Sequence, residues 1–167
     1  MARRSVGGYP KDTTAYIQIL TKRPERVRDR LPKGWPFQNV WIGVSVENPR
    51  FYWRIETLKE IPASVRFLSL EPLLTSMSSL PLGGISWVVV GGESGPRCRP
   101  MKPEWVREIR AQCKSAKVAF FFKQWGGPRK DMTGRVLDGR LWNAMPRRRN
   151  RVAATVQRLV ALPSTSS

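Results

Sequence analysis

The stretch Val40-Trp41-Ile42-Gly43-Val44-Ser45-Val46-Glu47 is an apolar run that ends at once in an acid. Two later segments repeat the pattern, Val65-Arg66-Phe67-Leu68-Ser69-Leu70-Glu71 and Trp87-Val88-Val89-Val90-Gly91-Gly92-Glu93. Two more apolar runs, at residues 16–20 and 118–122, end instead in Thr21-Lys22-Arg23 and Lys123-Gln124-Trp125. Runs of this length that are rich in Val, Ile and Phe are typical of strands covered on both faces, as in a parallel sheet.

Helical segments lie between most of these runs. Pro24, Pro49 and Pro103 each mark the first turn of a predicted helix, with Asn48 as the N-cap of the second. The resulting order, β-α-β-α-β-loop-β-α-β, predicts an α/β fold with a parallel five-stranded sheet. Five strands are too few to close an eight-stranded barrel, so the sheet is either open or part of an incomplete TIM-type barrel.

The ends of the chain differ from its centre. Residues 1–14 lack periodicity and are predicted to form a flexible lead-in, whereas residues 15–146 form the domain. Residues 147–167 are predicted to be a basic tail that ends in serines, and their candidate nucleic-acid-binding residues are Arg147, Arg148, Arg149 and Arg151. No run approaches the roughly 18 apolar residues of a membrane-spanning helix. Since the N-terminus also lacks a hydrophobic signal core, we expect a cytoplasmic location.

The formal charge of +18, from 30 Lys and Arg against 12 Asp and Glu, is extreme for 167 residues. A field of this sign favours nucleic acid or anionic cofactors, although a basic surface without a dedicated partner is an equal alternative. Cys98 and Cys113 are the only cysteines, and the chain has no histidine. They make neither a disulfide framework nor a metal-ligand set, so no metal site is predicted.

Ligands of α/β folds gather where the carboxyl ends of parallel strands meet. Glu47, Glu71 and Glu93 would lie along this edge, where carboxylates can hold ribose or amine groups, ligate a metal, or act as general acid or base. The alternative for each is that it caps the following helix or pairs with a nearby Arg.

Other polar residues follow the same strand ends. The turn Gly91-Gly92-Glu93-Ser94 would let the backbone approach a ligand, or its amides hold an anion. Lys22 and Arg23 add cations, and Lys123-Gln124-Trp125 adds a further cation and a flat ring, so that a carboxylate, a phosphate or a base could bind there.

Several short motifs resemble, in order, those of a phage-related protein family of unknown function with a radical-SAM-like barrel. The matching segments are Leu20-Thr21-Lys22-Arg23-Pro24-Glu25-Arg26, Trp41-Ile42-Gly43-Val44-Ser45-Val46-Glu47-Asn48, Arg66-Phe67-Leu68-Ser69-Leu70-Glu71-Pro72-Leu73-Leu74, Val90-Gly91-Gly92-Glu93-Ser94-Gly95, Arg99-Pro100-Met101, Phe121-Phe122-Lys123-Gln124-Trp125-Gly126-Gly127 and Leu137-Asp138-Gly139-Arg140. The resemblance runs from about residue 16 to residue 146.

The resemblance implies a cofactor that this chain cannot complete alone. Full-length relatives carry an N-terminal three-cysteine segment, and such a triad binds a four-iron four-sulfur cluster together with S-adenosylmethionine. No such triad occurs here, so the chain resembles only the C-terminal part of the barrel and no cofactor is expected in it alone. The resemblance implies that Glu47, Glu71, the turn at residues 91–94 and Lys123-Gln124-Trp125 line the mouth where cofactor and substrate meet, without assigning individual contacts. We expect the cofactor-binding residues to be Glu47, Glu71, Gly91, Gly92, Glu93 and Ser94, and the substrate-binding residues to be Lys22, Arg23, Lys123, Gln124 and Trp125.

Two functions follow as hypotheses. The first is a truncated or split radical-SAM-like protein that is inactive alone. Its expected partner is either a cluster-bearing N-terminal half, with which it would be active, or a second copy that associates through exposed sheet edges. The second is a non-enzymatic nucleic-acid-binding protein that uses its Arg-rich tail and basic surface. The sequence leaves open whether the chain is an enzyme.

Overall fold

The computed structural model describes residues 16–129 and 133–146, which form a parallel sheet, three α-helices and a small hairpin. The strands of the sheet are β1 (Ile17–Thr21), β2 (Val40–Ser45), β3 (Val65–Leu70), β4 (Trp87–Gly91) and β5 (Ala119–Gln124). The helices are α1 (Pro24–Arg28), α2 (Trp53–Glu60) and α3 (Pro103–Ser115), and the hairpin pairs β6 (Val136–Leu137) with β7 (Arg140–Leu141). The predicted lead-in (1–14) and basic tail (147–167) lie outside the described residues.

The five predicted strands are present and all are parallel, which confirms the α/β class. They lie side by side in chain order, β1-β2-β3-β4-β5. Each connection therefore steps to the next position in the same direction. Because parallel crossovers are right-handed, steps in one direction place the connecting helices on one face of the sheet.

The helix-covered face holds the main core. Ile55 and Leu58 of α2 and Ile109 of α3 are fully buried in one apolar cluster, and Val44 and Leu68 of the sheet belong to the same cluster. Cys113 of α3 also lies in this cluster. None of the helices in residues 16–129 and 133–146 has both the length and the hydropathy that crossing a membrane requires.

The opposite face of the sheet carries large aromatic side chains. Trp41, Phe67 and Trp87 follow one another across β2, β3 and β4, and Phe121 of β5 packs edge-on against Trp87 with ring centroids 5.9 Å apart. Gly43 makes room for this row, since a side chain there would overlap the Phe67 ring. Both faces are therefore apolar, which explains why the strands are continuous apolar runs in the sequence.

The two edges of the sheet differ. Residues 142–144 run antiparallel along the outer edge of β5, where Phe122 N donates to the Trp142 carbonyl (2.9 Å) and Ala144 N to the Phe120 carbonyl (3.2 Å). At the other edge, Ile17 and Leu20 of β1 are 52% and 50% exposed. Within the described residues no strand lies beyond β1.

Two elements depart in detail from the sequence prediction. The helix predicted from Pro49 begins as a 3-10 turn (Pro49–Phe51), which Asn48 caps by accepting a hydrogen bond from Arg50 N on its side-chain oxygen (3.1 Å), and α2 follows. The fifth strand extends to Gln124 because its pairing with β4 shifts between Val90 and Gly91. Lys123 and Gln124, predicted to follow the strand, are therefore its last two residues.

Candidate functional site

The polar residues predicted at the strand ends lie along one edge of the sheet, because all five strands run in the same direction. We call this edge the rim; it comprises the ends of β1 to β5 and the loops that follow them (residues 21–24, 45–52, 70–74, 91–102 and 123–129). Its three strand-end glutamates form two clusters and one separate ion pair.

Glu47, just after β2, is the centre of the first cluster. Its buried carboxylate lies 2.5 Å from Lys22 Nζ and 3.1 Å from Arg54 Nη1. Arg54 also donates to the Ser45 carbonyl (2.9 Å) and lies with its guanidinium 4.0 Å from the centroid of the Phe51 ring. Burial by itself raises the pKa of Glu47, but the hydrogen bond from Lys22 and the charges of Lys22 and Arg54 outweigh it, so the pKa lies below its ordinary value. A carboxylate held between two cations stays ionised and is a poor general base.

Glu71, just after β3, is the centre of the second cluster. Lys123 Nζ lies 2.9 Å from its Oε2, and Gln124 Nε2 lies 3.3 Å from its Oε1. Gln124 also donates to Ser94 Oγ (3.0 Å), which joins the loop after β4 to this cluster. The Lys123 side chain is 52% exposed and that of Glu71 is 23% exposed, so both are accessible to a ligand from solvent.

Glu93 forms the separate ion pair, with Arg99 six residues later in the same loop. The guanidinium of Arg99 donates to both carboxylate oxygens of Glu93, from Nη2 (2.7 Å) and Nε (2.8 Å), and Arg99 N donates to Oε2 (2.8 Å). The side-chain and backbone hydrogen bonds from Arg99 lower the pKa of Glu93 to about 2. This bidentate pair fixes the conformation of the 93–99 loop.

The glycine-rich turn after β4 packs against the loop after β5. Gly92 N donates to the Gln124 carbonyl (3.0 Å), Gly127 N to the Glu93 carbonyl (2.8 Å) and Gly95 N to the Gly127 carbonyl (3.0 Å). A side chain at Gly92 would overlap the Trp125 carbonyl. The glycines therefore let the turn after β4 approach the loop after β5 closely. A ligand-binding role for Gly91 and Gly92 stays a prediction.

Trp125 and Arg23 complete the predicted binding residues. Trp125 packs against Phe122 with ring centroids 4.8 Å apart, and its Nε1 donates to the Val136 carbonyl (2.9 Å). Trp125 thus holds the β6–β7 hairpin against the end of β5. Arg23 is exposed and forms the N-cap of α1.

The predicted site residues fall into separate contact networks. Glu71, Ser94, Lys123 and Gln124 share one network, whereas Lys22 and Glu47 belong to another. Among the described residues, no hydrogen bond or ion pair links the two clusters. Arg147, Arg148, Arg149 and Arg151 lie outside the described residues, and their predicted contact with nucleic acid stays a prediction.

Sequence reasoning assigned no role at the site to Arg54, which lies in α2, or to Arg99, which lies in the loop after β4. Arg54 pairs with Glu47 and Arg99 pairs with Glu93, which is the alternative stated above for a strand-end glutamate. Only the short spacing between acid and Arg signals these pairs. In a chain with 30 Lys and Arg, that signal does not single out a partner.

In residues 16–129 and 133–146, no three His, Cys, Asp or Glu side chains are placed to hold a metal ion. Cys98 is half-buried, and burial of Cys113 beneath α3 raises the pKa of its thiol to about 12. The described cysteines therefore do not fit the ligand set of an iron–sulfur cluster.

A cavity of about 940 Å³ lies at the opposite end of the sheet. Its lining includes Ser64, Arg66, Ser86 and Lys117, and none of the site residues predicted from the sequence. Arg66 Nε donates to the Ile61 carbonyl at the end of α2 (2.8 Å), and burial lowers the pKa of Arg66. The helix contact gives Arg66 a structural role in capping α2.

Comparison with known proteins identifies a family. The family model of DUF5131, described as a protein of unknown function, matches residues 10–146. No curated protein and no solved structure matches the chain. The match covers well over half of the 167 residues, and the chain belongs to the DUF5131 family.

Proposed function

We propose that this DUF5131 protein is the ligand-binding part of a radical-SAM-like β/α barrel, as its resemblance to a phage-related family implies. In this proposal it acts in the cytoplasm together with a separate segment that carries the iron–sulfur cluster. Its rim binds S-adenosylmethionine, and the chain alone performs no radical chemistry. The two unpaired cysteines suit a reducing compartment.

The order of the strands is the observation that carries the proposal. In a doubly wound sheet the strand order reverses at a switch point, and helices cover both faces. Here the order runs from β1 to β5 without reversal, and the buried residues of α2 and α3 belong to the cluster on one face only. Both features are those of an arc cut from a β/α barrel, in which the helices form an outer ring.

The difference between the two edges supports a partner beside β1. Residues 142–144 of the chain itself occupy the edge of β5, whereas Ile17 and Leu20 on the β1 edge are half-exposed. An exposed apolar edge strand is a template for pairing with another strand. A cluster-bearing segment would add its strands there, and self-association through the same edge is the competing outcome.

The Glu71–Lys123 pair fits the methionine part of S-adenosylmethionine. A carboxylate next to an ammonium matches the amino and carboxylate groups of an amino acid, which pair with charges of opposite sign. Glu47 fits less well because its side chain is only 8% exposed, and Glu93 because Arg99 holds both of its oxygens in a bidentate pair. When bound with a cluster, the cofactor supplies the radical chemistry, and this chain binds and orients it.

Calorimetric titration with S-adenosylmethionine tests the proposal. We expect weak binding that Glu71→Gln and Lys123→Gln each abolish. Lys59→Gln is the matched control, because Lys59 also pairs with a glutamate, Glu56 (3.0 Å), but on the surface of α2. Absence of binding to the unmodified chain, or equal loss in the control, would overturn the assignment of the cofactor to this pair.

The second candidate function is nucleic-acid binding through the Arg-rich tail, which the net charge of +18 favours. Binding through phosphate contacts weakens steeply with salt. Removal of residues 147–167 should then abolish binding to a labelled oligonucleotide and leave the folded domain intact by circular dichroism. Retention of binding in the shortened chain would contradict this function of the tail.

A further inference from the structure

Five cations of the rim form no ion pair with any carboxylate of the described residues. Arg23, Arg50, Arg97, Lys102 and Arg129 are exposed, and none of them takes part in an ion pair in the described part of the chain. They lie in the loops after β1, β2, β4 and β5, so unpaired charge is spread along the rim. The three strand-end glutamates are already paired with other cations.

The rim keeps a surplus of positive charge even when the acids that adjoin it are counted. Glu25 and Glu104 lie in the first turns of α1 and α3 and are too few to balance the five unpaired cations. The N-terminus of α3, at Pro103, also faces this edge and adds the positive end of its dipole. A polyanion would relieve this repulsion among like charges.

An exposed aromatic ring lies just after the rim loop that follows β2. Trp53, the first residue of α2, is 46% exposed, and the Arg54 guanidinium lies 5.6 Å from its ring centroid. Arg50, three residues earlier, lies 4.7 Å from the Phe51 ring. Surfaces that bind single-stranded nucleic acid combine cations for the phosphates with exposed rings on which bases stack.

We propose that the rim binds single-stranded nucleic acid, with Arg23, Arg50 and Arg97 on its phosphates and Trp53 under one of its bases. The proposal assigns a substrate class to the same rim at which the proposed function places the cofactor. It rests on the proposed function in that respect only. Within the described residues, no hydrogen bond or ion pair joins these four residues to the Glu71–Lys123 pair. The two kinds of binding are therefore separable by substitution.

The opposite end of the sheet supplies a matched control. Arg30, Lys33 and Lys114 are exposed there and form no ion pair within the described residues. Replacing these three removes the same charge as replacing three rim arginines. The C-terminal ends of α2 and α3 face this end, so their dipoles disfavour a polyanion.

Fluorescence anisotropy of labelled oligo(dT) with the full chain, at several salt concentrations, tests the proposal. The rim triple variant R23Q/R50Q/R97Q should lower the slope of log K against log salt by about two, since each phosphate contact on a single strand contributes about 0.7. Trp53→Ala should weaken binding about five-fold or more without changing the slope, because stacking carries no charge. The opposite-end triple variant R30Q/K33Q/K114Q should retain the slope of the unmodified chain.

Three results would overturn the proposal. Equal losses in the two triple variants would show non-specific attraction to a basic protein. Loss confined to replacement of Arg147, Arg148, Arg149 and Arg151 would assign binding to the tail. Tighter binding to duplex than to single strand, without an effect of Trp53→Ala, would exclude the single-stranded class. The rim triple variant should still bind S-adenosylmethionine, and Lys123→Gln should still bind oligo(dT). Failure of oligo(dT) binding therefore leaves the proposed cofactor binding standing, and the reverse also holds.

Discussion

The two glutamate clusters of the rim occupy equivalent positions in the sheet but differ in burial and pairing. Glu47 follows β2 with its side chain 8% exposed and two cations around it, whereas Glu71 follows β3 with its side chain 23% exposed beside the half-exposed Lys123. A buried charge is tolerated only when it is paired, whereas an exposed pair adds little stability. The same strand-end pattern thus produces a structural ion cluster at Glu47 and an open pair at Glu71.

The largest expected effect is that of Glu47→Gln, which tests this difference directly. The substitution leaves Arg54, whose side chain is 10% exposed, without its counter-ion, and breaking a buried pair costs about 3–5 kcal/mol. Glu71→Gln should cost less than about 1 kcal/mol, as exposed pairs do. Urea unfolding followed by circular dichroism measures both. Similar losses for the two variants would remove the distinction between a structural and an open cluster.

Gly92→Ala should have the next largest effect and tests how the open cluster is supported. Its added methyl group would overlap the Trp125 carbonyl, so the loops after β4 and β5 must move apart, and overpacking of this kind costs about 1–3 kcal/mol. Gly83→Ala is the control, because a side chain there meets nothing within 4 Å. We expect Gly83→Ala to stay within about 0.5 kcal/mol of the unmodified chain. Equal stabilities in urea would mean that the loops adjust freely.

The strands could be predicted from the sequence because both faces of the sheet are covered. Trp41 and Phe67 lie on one face, and Val44 and Leu68 lie on the other, so each strand reads as a continuous apolar run. A short run of this kind is typical of a strand that is buried on both faces. The parallel direction followed from the helices between the runs. The common edge for Glu47, Glu71 and Glu93 then followed from the direction of the strands.

The partners of these glutamates could not be predicted in the same way. Selection of Arg54 by Glu47 depends on how α2 packs, because Arg50 lies nearer to Glu47 along the sequence. The placement of Lys123 and Gln124 on β5 depends on the shift in pairing at Val90 and Gly91, which leaves no periodic signal. The tight contact of Gly92 with Trp125 is a tertiary contact between two loops, and a glycine turn alone does not reveal it.

The acid stability of the rim gives a third and smaller test. Folding lowers the pKa of Glu93 from 4.5 to about 2, chiefly through its hydrogen bonds with Arg99. A group with a lowered folded-state pKa stabilises the fold above its unfolded pKa, and this stabilisation is lost as the pH falls through the folded value. Thermal unfolding should therefore show a decline in Tm between about pH 4.5 and pH 2 that is shallower in Glu93→Gln. Superimposable pH profiles would show that the pair with Arg99 does not contribute in solution.

Lys22→Gln should have the smallest effect, although Lys22 contacts the same buried carboxylate as Arg54. The Lys22 side chain is 60% exposed, so water solvates its charge in either state, and Arg54 still neutralises Glu47 after the substitution. Exposed ion pairs contribute about 0–1 kcal/mol, and we expect a loss in that range by urea unfolding. Lys59→Gln, which removes the surface pair with Glu56, provides the scale for comparison. If Lys22→Gln lowered the free energy of unfolding as much as Glu47→Gln does, the stabilising partner of Glu47 would be the exposed Lys22 and not the buried Arg54. The cluster at Glu47 would then be as open as the one at Glu71.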